Sequence, residues 1–299
     1  MLPKRIILSR KGFDGTAGGC PSPIFPDGTM FSIPIPESEE HTAAVRFEDL
    51  GHQGRYSFPK RLVTSARGGI SLAGLVHLDP DIRPTLRGAS AAKDCRNTFL
   101  FGQDDKSQSH LETMGVGRGD LFLFFGLFKR AKHKDDAAYF ELGAPRIHVI
   151  WGWLEVGERH LLPMNNPVPK ELRLSNHHPH LSYRNRPQNC IYVGSQSLSF
   201  CDGVPGAGIF GQYSDDLRLT SRNEGRPSYW TLPAFFAGAG MTFHGPGSKF
   251  DLALWERQGE FICGQSAGRG QEFVINTEGF SKQTRAWLES VFQHAKKAN

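Results

Sequence analysis

Two apolar segments separated by a short charged stretch constrain the fold of this chain more than any other feature. The first, Gly119 to Phe128, contains DLFLFFGLF, and the second, Arg146 to Glu155, contains IHVIWGWLE. Both are short and rich in aromatic or β-branched residues, which is typical of buried strands. We therefore predict that they pair antiparallel, with a charged hairpin tip at Lys129 to Ala138.

The rest of the chain indicates many short elements. Its 34 glycines and 19 prolines interrupt apolar runs that are mostly of strand length. We predict an N-terminal strand from Arg5 to Ser9, a short helix from Ser107 to Met114, and a C-terminal helix over 281–297 with Ser281 as its N-cap. The expected fold class is α+β: a strand-rich single domain over 1–299, with a mostly antiparallel sheet or partly open barrel.

Composition limits where in the cell the protein is expected and which partners it could bind. The chain lacks an apolar run of about 18 residues and begins without a secretory signal, so we expect a cytoplasmic protein that does not bind membranes. The five cysteines are scattered without a CxxC pair and are expected to be reduced thiols. The net charge of +5 permits a polyanionic partner such as nucleic acid.

The glycine-rich loop after the first strand is a candidate phosphate site. Arg10 and Lys11 supply charge, and Gly12, Gly18 and Gly19 allow backbone N–H groups to approach a phosphate. Asp14 lies in the same loop. The alternative is a turn-rich hairpin with solvated charges, because the spacing does not match GxxxxGK[ST].

Histidines and carboxylates in two other segments could carry chemistry. The stretch NHHPH, which ends at His180, could bind a divalent metal, although its histidines could instead bond the backbone or a phosphate. In HLDPD, Asp79 and Asp81 are two apart and could point the same way as metal ligands or an acid/base pair. Alternatively they cap a turn. The cofactor therefore stays unknown, with a divalent metal as one option.

Two further sets of residues could contact a base. Gln103 and Gln108 offer a donor and an acceptor each for a base edge, and His110 beside them could act as an acid or base; the alternative is that Ser107 caps a short helix. Trp151 and Trp153 alternate with other residues on one strand, so they should share a face. If exposed they would stack bases, although core positions are more usual for such rings.

The segments SRKGFDGTAGGCPSPIFPDG, HLDPDI, GQDDKSQSHL, GVGRGDLFLFFGLF and HPHL make the chain similar to a known family. It resembles the nucleotide-modification-associated domain family of the third type, found in bacteria and phages. This resemblance implies an α+β fold and a role in base modification, with a nucleotide or nucleic acid and other proteins of a modification system as partners. No catalytic role transfers with it. The positions that fit are Ser9, Arg10, Lys11, Gly12, Asp14, Asp27, Gly28, His77, Asp79, Gln103, Gln108, His110, His180 and Leu181.

A second resemblance concerns residues 107–156, which are similar to the strand pair of PUA-like barrels such as the ASCH and EVE modules. It implies a different function, namely a reader that binds a modified base without turnover.

The favoured hypothesis is an enzyme acting on a nucleotide or nucleic-acid base, and the alternatives are the reader and a structural partner of a modification system. The predicted catalytic residues are Asp14, Asp79, His110 and His180. The predicted phosphate or nucleotide contacts are Arg10, Lys11, Gly12, Gly18, Gly19, Gln103 and Gln108, and the stacking residues are Trp151 and Trp153. Convergence of the four catalytic candidates in one cleft would favour the enzyme.

Overall fold

A computed structural model describes residues 1–15, 17–38, 45–87, 98–162, 167–175, 177–183, 185–222, 224–243, 249–268, 271–293 and 295. Over these residues the chain forms many strands and five α-helices. The predicted α+β class is confirmed.

The strands are numbered in chain order. They are β1 Arg5–Arg10, β2 Ser22–Ile24, β3 Val45–Arg46, β4 His52–Gln53, β5 Tyr56–Ser57, β6 Leu75–Val76, β7 Leu100–Gln103, β8 Leu121–Lys134, β9 Ala137–Phe140, β10 Arg146–Leu161, β11 Cys190–Gly194, β12 Ala207–Ile209, β13 Tyr229–Pro233, β14 Met241–Thr242, β15 Lys249–Phe250, β16 Glu256–Gln258, β17 Phe261–Gln265 and β18 Glu272–Asn276. The α-helices are α1 Lys60–Thr64, α2 Asp105–Thr113, α3 Pro179–Ser182, α4 Phe235–Ala239 and α5 Ser281–Phe292. Short 3-10 helices occupy Phe47–Asp49, Pro84–Leu86, Lys170–Ser175, Asp215–Leu217 and Leu252–Leu254.

The hairpin of β8 and β10 forms the centre of the fold, as predicted. The two strands pair antiparallel from Leu121 opposite Glu155 to Lys129 opposite Arg146. The predicted charged tip is wrong in extent, because β8 continues to Lys134 and pairs with β9. Polar side chains do not prevent a strand where the backbone of a neighbour is in register.

Among the described residues, eleven strands form one curled, half-barrel sheet. Its main path runs β15, β14, β18, β1, β8, β10, β11, β7, with β2 and β9 pairing with β8 and β12 with β10. Most pairs are antiparallel, whereas β1 and β2 run parallel to β8. The run of buried apolar residues in β8 follows from this central position, since both of its faces are covered.

Apolar side chains form two large clusters. The principal cluster joins the central strands to α5, whose Leu288, Val291 and Phe292 are buried. A second cluster is formed mainly by buried side chains between Phe13 and Leu86. The loop after β1 connects these clusters, because Leu8 of β1 belongs to the first and Phe13 of the loop to the second.

The C-terminal helix is confirmed, with different ends. Ser281 is its first helical residue and not its N-cap, which is Phe280 and makes no side-chain capping bond. The helix ends at Phe292, and the predicted Lys296 and Lys297 lie outside the described residues. None of the helices in the described part of the chain is long and apolar enough to cross a membrane.

Candidate functional site

A polar cleft of about 320 Å³ opens where β1 ends and β18 begins, next to the end of β7. Its charged and histidine side chains are Arg10, Lys11, Asp14, Glu37, His77, Asp79, Asp104, His180 and Arg186. Four larger depressions, of about 670, 650, 520 and 360 Å³, contain no residue that the sequence predicted to be functional. The cleft is therefore the candidate site.

Asp79 is the buried carboxylate at the centre of the cleft. Its Oδ1 accepts a hydrogen bond from the N–H of Gly102 at 2.7 Å and lies 3.2 Å from His178 Nε2. Its Oδ2 lies 3.7 Å from His77 Nε2 and 3.8 Å from Lys11 Nζ. Burial opposes ionisation, but hydrogen bonds from His178 and His77 and the charge of Lys11 hold the pKa of Asp79 well below its usual range.

His77 bridges Asp79 and a second carboxylate, Glu37. Its Nδ1 lies 2.9 Å from Glu37 Oε2, which also accepts a hydrogen bond from the hydroxyl of Tyr183. Burial alone would lower the pKa of His77, but hydrogen bonds to Asp79 and Glu37 raise it to about 9. Glu37 and Tyr183 were not predicted, because they are 40 and 106 positions away from His77 in sequence.

His180 lies in α3 and faces the same point. Its Nδ1 is 2.9 Å from Asn189 Oδ1, and Asn189 also donates to its carbonyl at 2.7 Å. Burial lowers the pKa of His180 to about 3, so its ring is neutral. A side chain on Gly102 would approach the ring carbons of His180 to 2.3 Å, so only glycine leaves room for this ring.

These three residues could hold a metal ion. His77, Asp79 and His180 each offer one ligand atom, and the three atoms lie within 4.8 Å of one another. The sequence identified both segments that contain these residues, but it did not indicate that HLDPD and NHHPH meet.

Lys11 and Gln103 line the cleft, and both contact the carboxylate of Glu272. Glu272 is fully buried; its Oε1 accepts hydrogen bonds from Ser9 Oγ at 3.0 Å and Gln103 Nε2 at 2.6 Å, and Lys11 Nζ lies 3.6 Å away. Burial raises the pKa of Glu272, although Lys11 opposes the shift. No sequence pattern indicated Glu272, which begins the strand β18 next to apolar residues.

The loop after β1 brings part of the predicted phosphate site to the cleft. Arg10, Gly12 and Asp14 line it, and Arg10 Nη2 lies 3.0 Å from Asp14 Oδ2. Gly18 and Gly19 lie elsewhere: Gly19 N–H donates to the carbonyl of Asp14, and Gly18 forms a β-bridge with the same residue. These two glycines fold the loop back on itself.

Gln108 and His110 do not reach the cleft. Helix α2 begins at Asp105 and turns Gln108 into the core, where its Oε1 accepts the hydroxyl of Tyr192 at 3.1 Å. His110 Nε2 lies 3.3 Å from Thr242 Oγ1. The predicted helix is confirmed, and its rotation places both side chains away from the site.

Trp151 and Trp153 are core residues, only 3% and 4% exposed. A bulge between Ile150 and Gly152 interrupts the alternation of β10, so the two rings do not share surroundings. Trp151 donates to a carbonyl of the loop after β1, whereas Trp153 packs against Phe292 of α5. Neither ring is available to stack on a base.

Asp81 does not face the same way as Asp79. Its Oδ1 accepts from Arg87 Nε at 2.7 Å, and its Oδ2 lies 2.7 Å from His177 Nε2. Both partners are buried. Asp81 therefore joins two segments behind the site, and of the two options for this pair, the one in which both carboxylates point the same way does not hold.

The half-barrel and the cleft define an α+β protein with a buried carboxylate held between two imidazoles. The sequence model of the family described as nucleotide modification associated domain 3 matches residues 5–276, and the chain belongs to this family. No curated protein and no solved structure matches the chain. The resemblance of 107–156 to PUA-like barrels gains no support from these comparisons.

Proposed function

We propose that this protein is an enzyme that modifies the base of a nucleotide or nucleic acid, with its reaction centre at His77, Asp79 and His180. The observation that carries the proposal is convergence: the carboxylate of Asp79 and the imidazoles of His77 and His180, which come from two distant segments, meet in one cleft. Clusters of groups with strongly perturbed pKa values in a cleft are typical of catalytic sites. The family membership supplies the substrate class.

The other cleft residues have supporting roles in this proposal. Arg10 and Lys11 are the cations placed to meet a phosphate, which would compete with Asp14 for Arg10 and with Asp79 for Lys11. Gln103 remains a candidate for a base edge, although its amide already bonds Glu272 and the backbone of Asp104. A reader function is disfavoured because both strand tryptophans are buried.

Mass spectrometry of nucleosides tests the proposal. DNA, RNA and nucleotide pools are compared between cells that carry the wild-type protein and cells that carry Asp79→Asn at the same expression level. We expect a modified nucleoside in the wild type that disappears in the variant. Asp202→Asn, at an exposed carboxylate, is the matched control and should leave the nucleosides unchanged. Identical nucleosides in all strains would overturn the proposal.

A further inference from the structure

Both histidines of the cleft have the same nitrogen, Nδ1, bonded to a neighbouring oxygen. Nδ1 of His77 is bonded to Glu37, and Nδ1 of His180 is bonded to Asn189. Each bond fixes the ring and leaves Nε2 as the remaining nitrogen. A metal-ligating histidine typically has its second nitrogen bonded in this way to a carboxylate or another oxygen acceptor, because that bond sets the tautomer and orients the ring.

The two carboxylate oxygens of Asp79 also have different roles. Gly102 N–H and His178 Nε2 hold Oδ1 of Asp79, whereas Oδ2 faces His77 Nε2. One oxygen is thus positioned by the protein, and the other faces the point where the histidines meet. An acid/base pair alone does not need all three residues to be oriented toward one point.

We propose that His77 Nε2, Asp79 Oδ2 and His180 Nε2 bind one divalent first-row transition metal ion. Two imidazoles and one carboxylate suit iron, cobalt or zinc, whereas magnesium and calcium prefer sites made of oxygen ligands only. Three protein ligands leave coordination positions for water or substrate, as in catalytic sites. The inference rests on the proposed function for its role in catalysis, but binding of the ion can be measured without it.

Titration of the metal-free protein with Co²⁺ tests the inference, because protein-bound Co²⁺ absorbs visible light. We expect one equivalent to bind, Zn²⁺ and anaerobic Fe²⁺ to compete, and Mg²⁺ not to compete. Affinity should fall at least about 100-fold in His180→Gln and about 10- to 100-fold in Asn189→Ala, which keeps all three ligands but releases one ring. His52→Gln, an exposed histidine, is the control and should bind as the wild type does.

Melting curves of the metal-free variants show whether each is folded, and Asn189→Ala provides a test that retains every ligand. Absence of binding in the wild type, equal binding in His180→Gln, or equal competition by Mg²⁺ would each overturn the metal site. Metal binding with unchanged nucleosides would overturn only the proposed function. A nucleoside lost in Asp79→Asn, with no metal bound by the wild type, would overturn only the metal site.

Discussion

Gly102 determines whether the ring of His180 can occupy its position. An added Cβ would lie 2.3 Å from two ring carbons, and the bond from Nδ1 to Asn189 prevents the ring from yielding easily. We expect Gly102→Ala to displace His180, lower the melting temperature, and reduce Co²⁺ affinity and product formation about 10-fold or more.

Gly211→Ala is the matched control for this substitution, because no atom lies within 4 Å of its added Cβ. It should behave as the wild type in both assays. Unchanged Co²⁺ affinity in Gly102→Ala would contradict the assigned position of His180.

We expect Asp81 to contribute to the stability of the fold. In Asp81→Ala, the buried guanidinium of Arg87 loses its carboxylate and His177 loses its partner. Removing one partner of a buried ion pair costs about 3–5 kcal/mol, so urea unfolding should show a loss of that size. Asp202→Ala, at the surface, should change the free energy of unfolding by about 0.5 kcal/mol or less. A similarly small effect at Asp81 would contradict the structure.

The site residues that could be predicted from the sequence differ from those that could not in how far away their partners lie along the chain. Asp79 and His180 stand in short segments dense in polar groups and proline, which a compact domain seldom keeps without a reason. Glu37, Asn189 and Glu272 act through distant partners, so their importance depends on how the chain returns to the same place. No local pattern encodes that return.

At the scale of elements, period and composition predicted the β8–β10 hairpin and α5, since each is long and strongly patterned. Features that depend on the exact position of a single residue, such as a bulge or the first residue of a helix, were not predicted. The bulge in β10 separates the surroundings of Trp151 and Trp153, and the start of α2 at Asp105 determines where Gln108 points. A shift of one position changes which face a side chain occupies.

Trp153→Ala tests the assignment of this strand to the core. Trp153 packs against Phe210 and Phe292, and so connects β10 to α5. We expect a loss of about 3–5 kcal/mol in the free energy of unfolding, measured by urea titration with circular dichroism. Leu142→Ala, at a fully exposed side chain, should have almost no effect. A reader with Trp153 in its binding surface would instead lose ligand affinity and keep its stability.

The described residues form two large apolar clusters and a small third one, yet the sequence predicts a single domain over 1–299. Probes are available for each cluster. All five tryptophans belong to or pack against the principal cluster, which also contains Cys190, while Cys20 lies in the second cluster. Burial raises the pKa of both thiols to about 12, so neither should react with an alkylating reagent while its cluster is folded.

A single domain should unfold in one cooperative step. As urea rises, we therefore expect Cys20 and Cys190 to become reactive over the same range in which tryptophan fluorescence changes, with alkylation assigned by mass spectrometry of peptides. The two clusters should unfold over the same range of urea because the contact between Asp79 and Lys11 in the cleft connects them. Asp79 lies in a loop beside the second cluster, and Lys11 follows β1 of the principal cluster. If Cys20 reacted at clearly lower urea than Cys190, the second cluster would be a separate domain, and the cleft would lie at an interface that opens before the sheet unfolds.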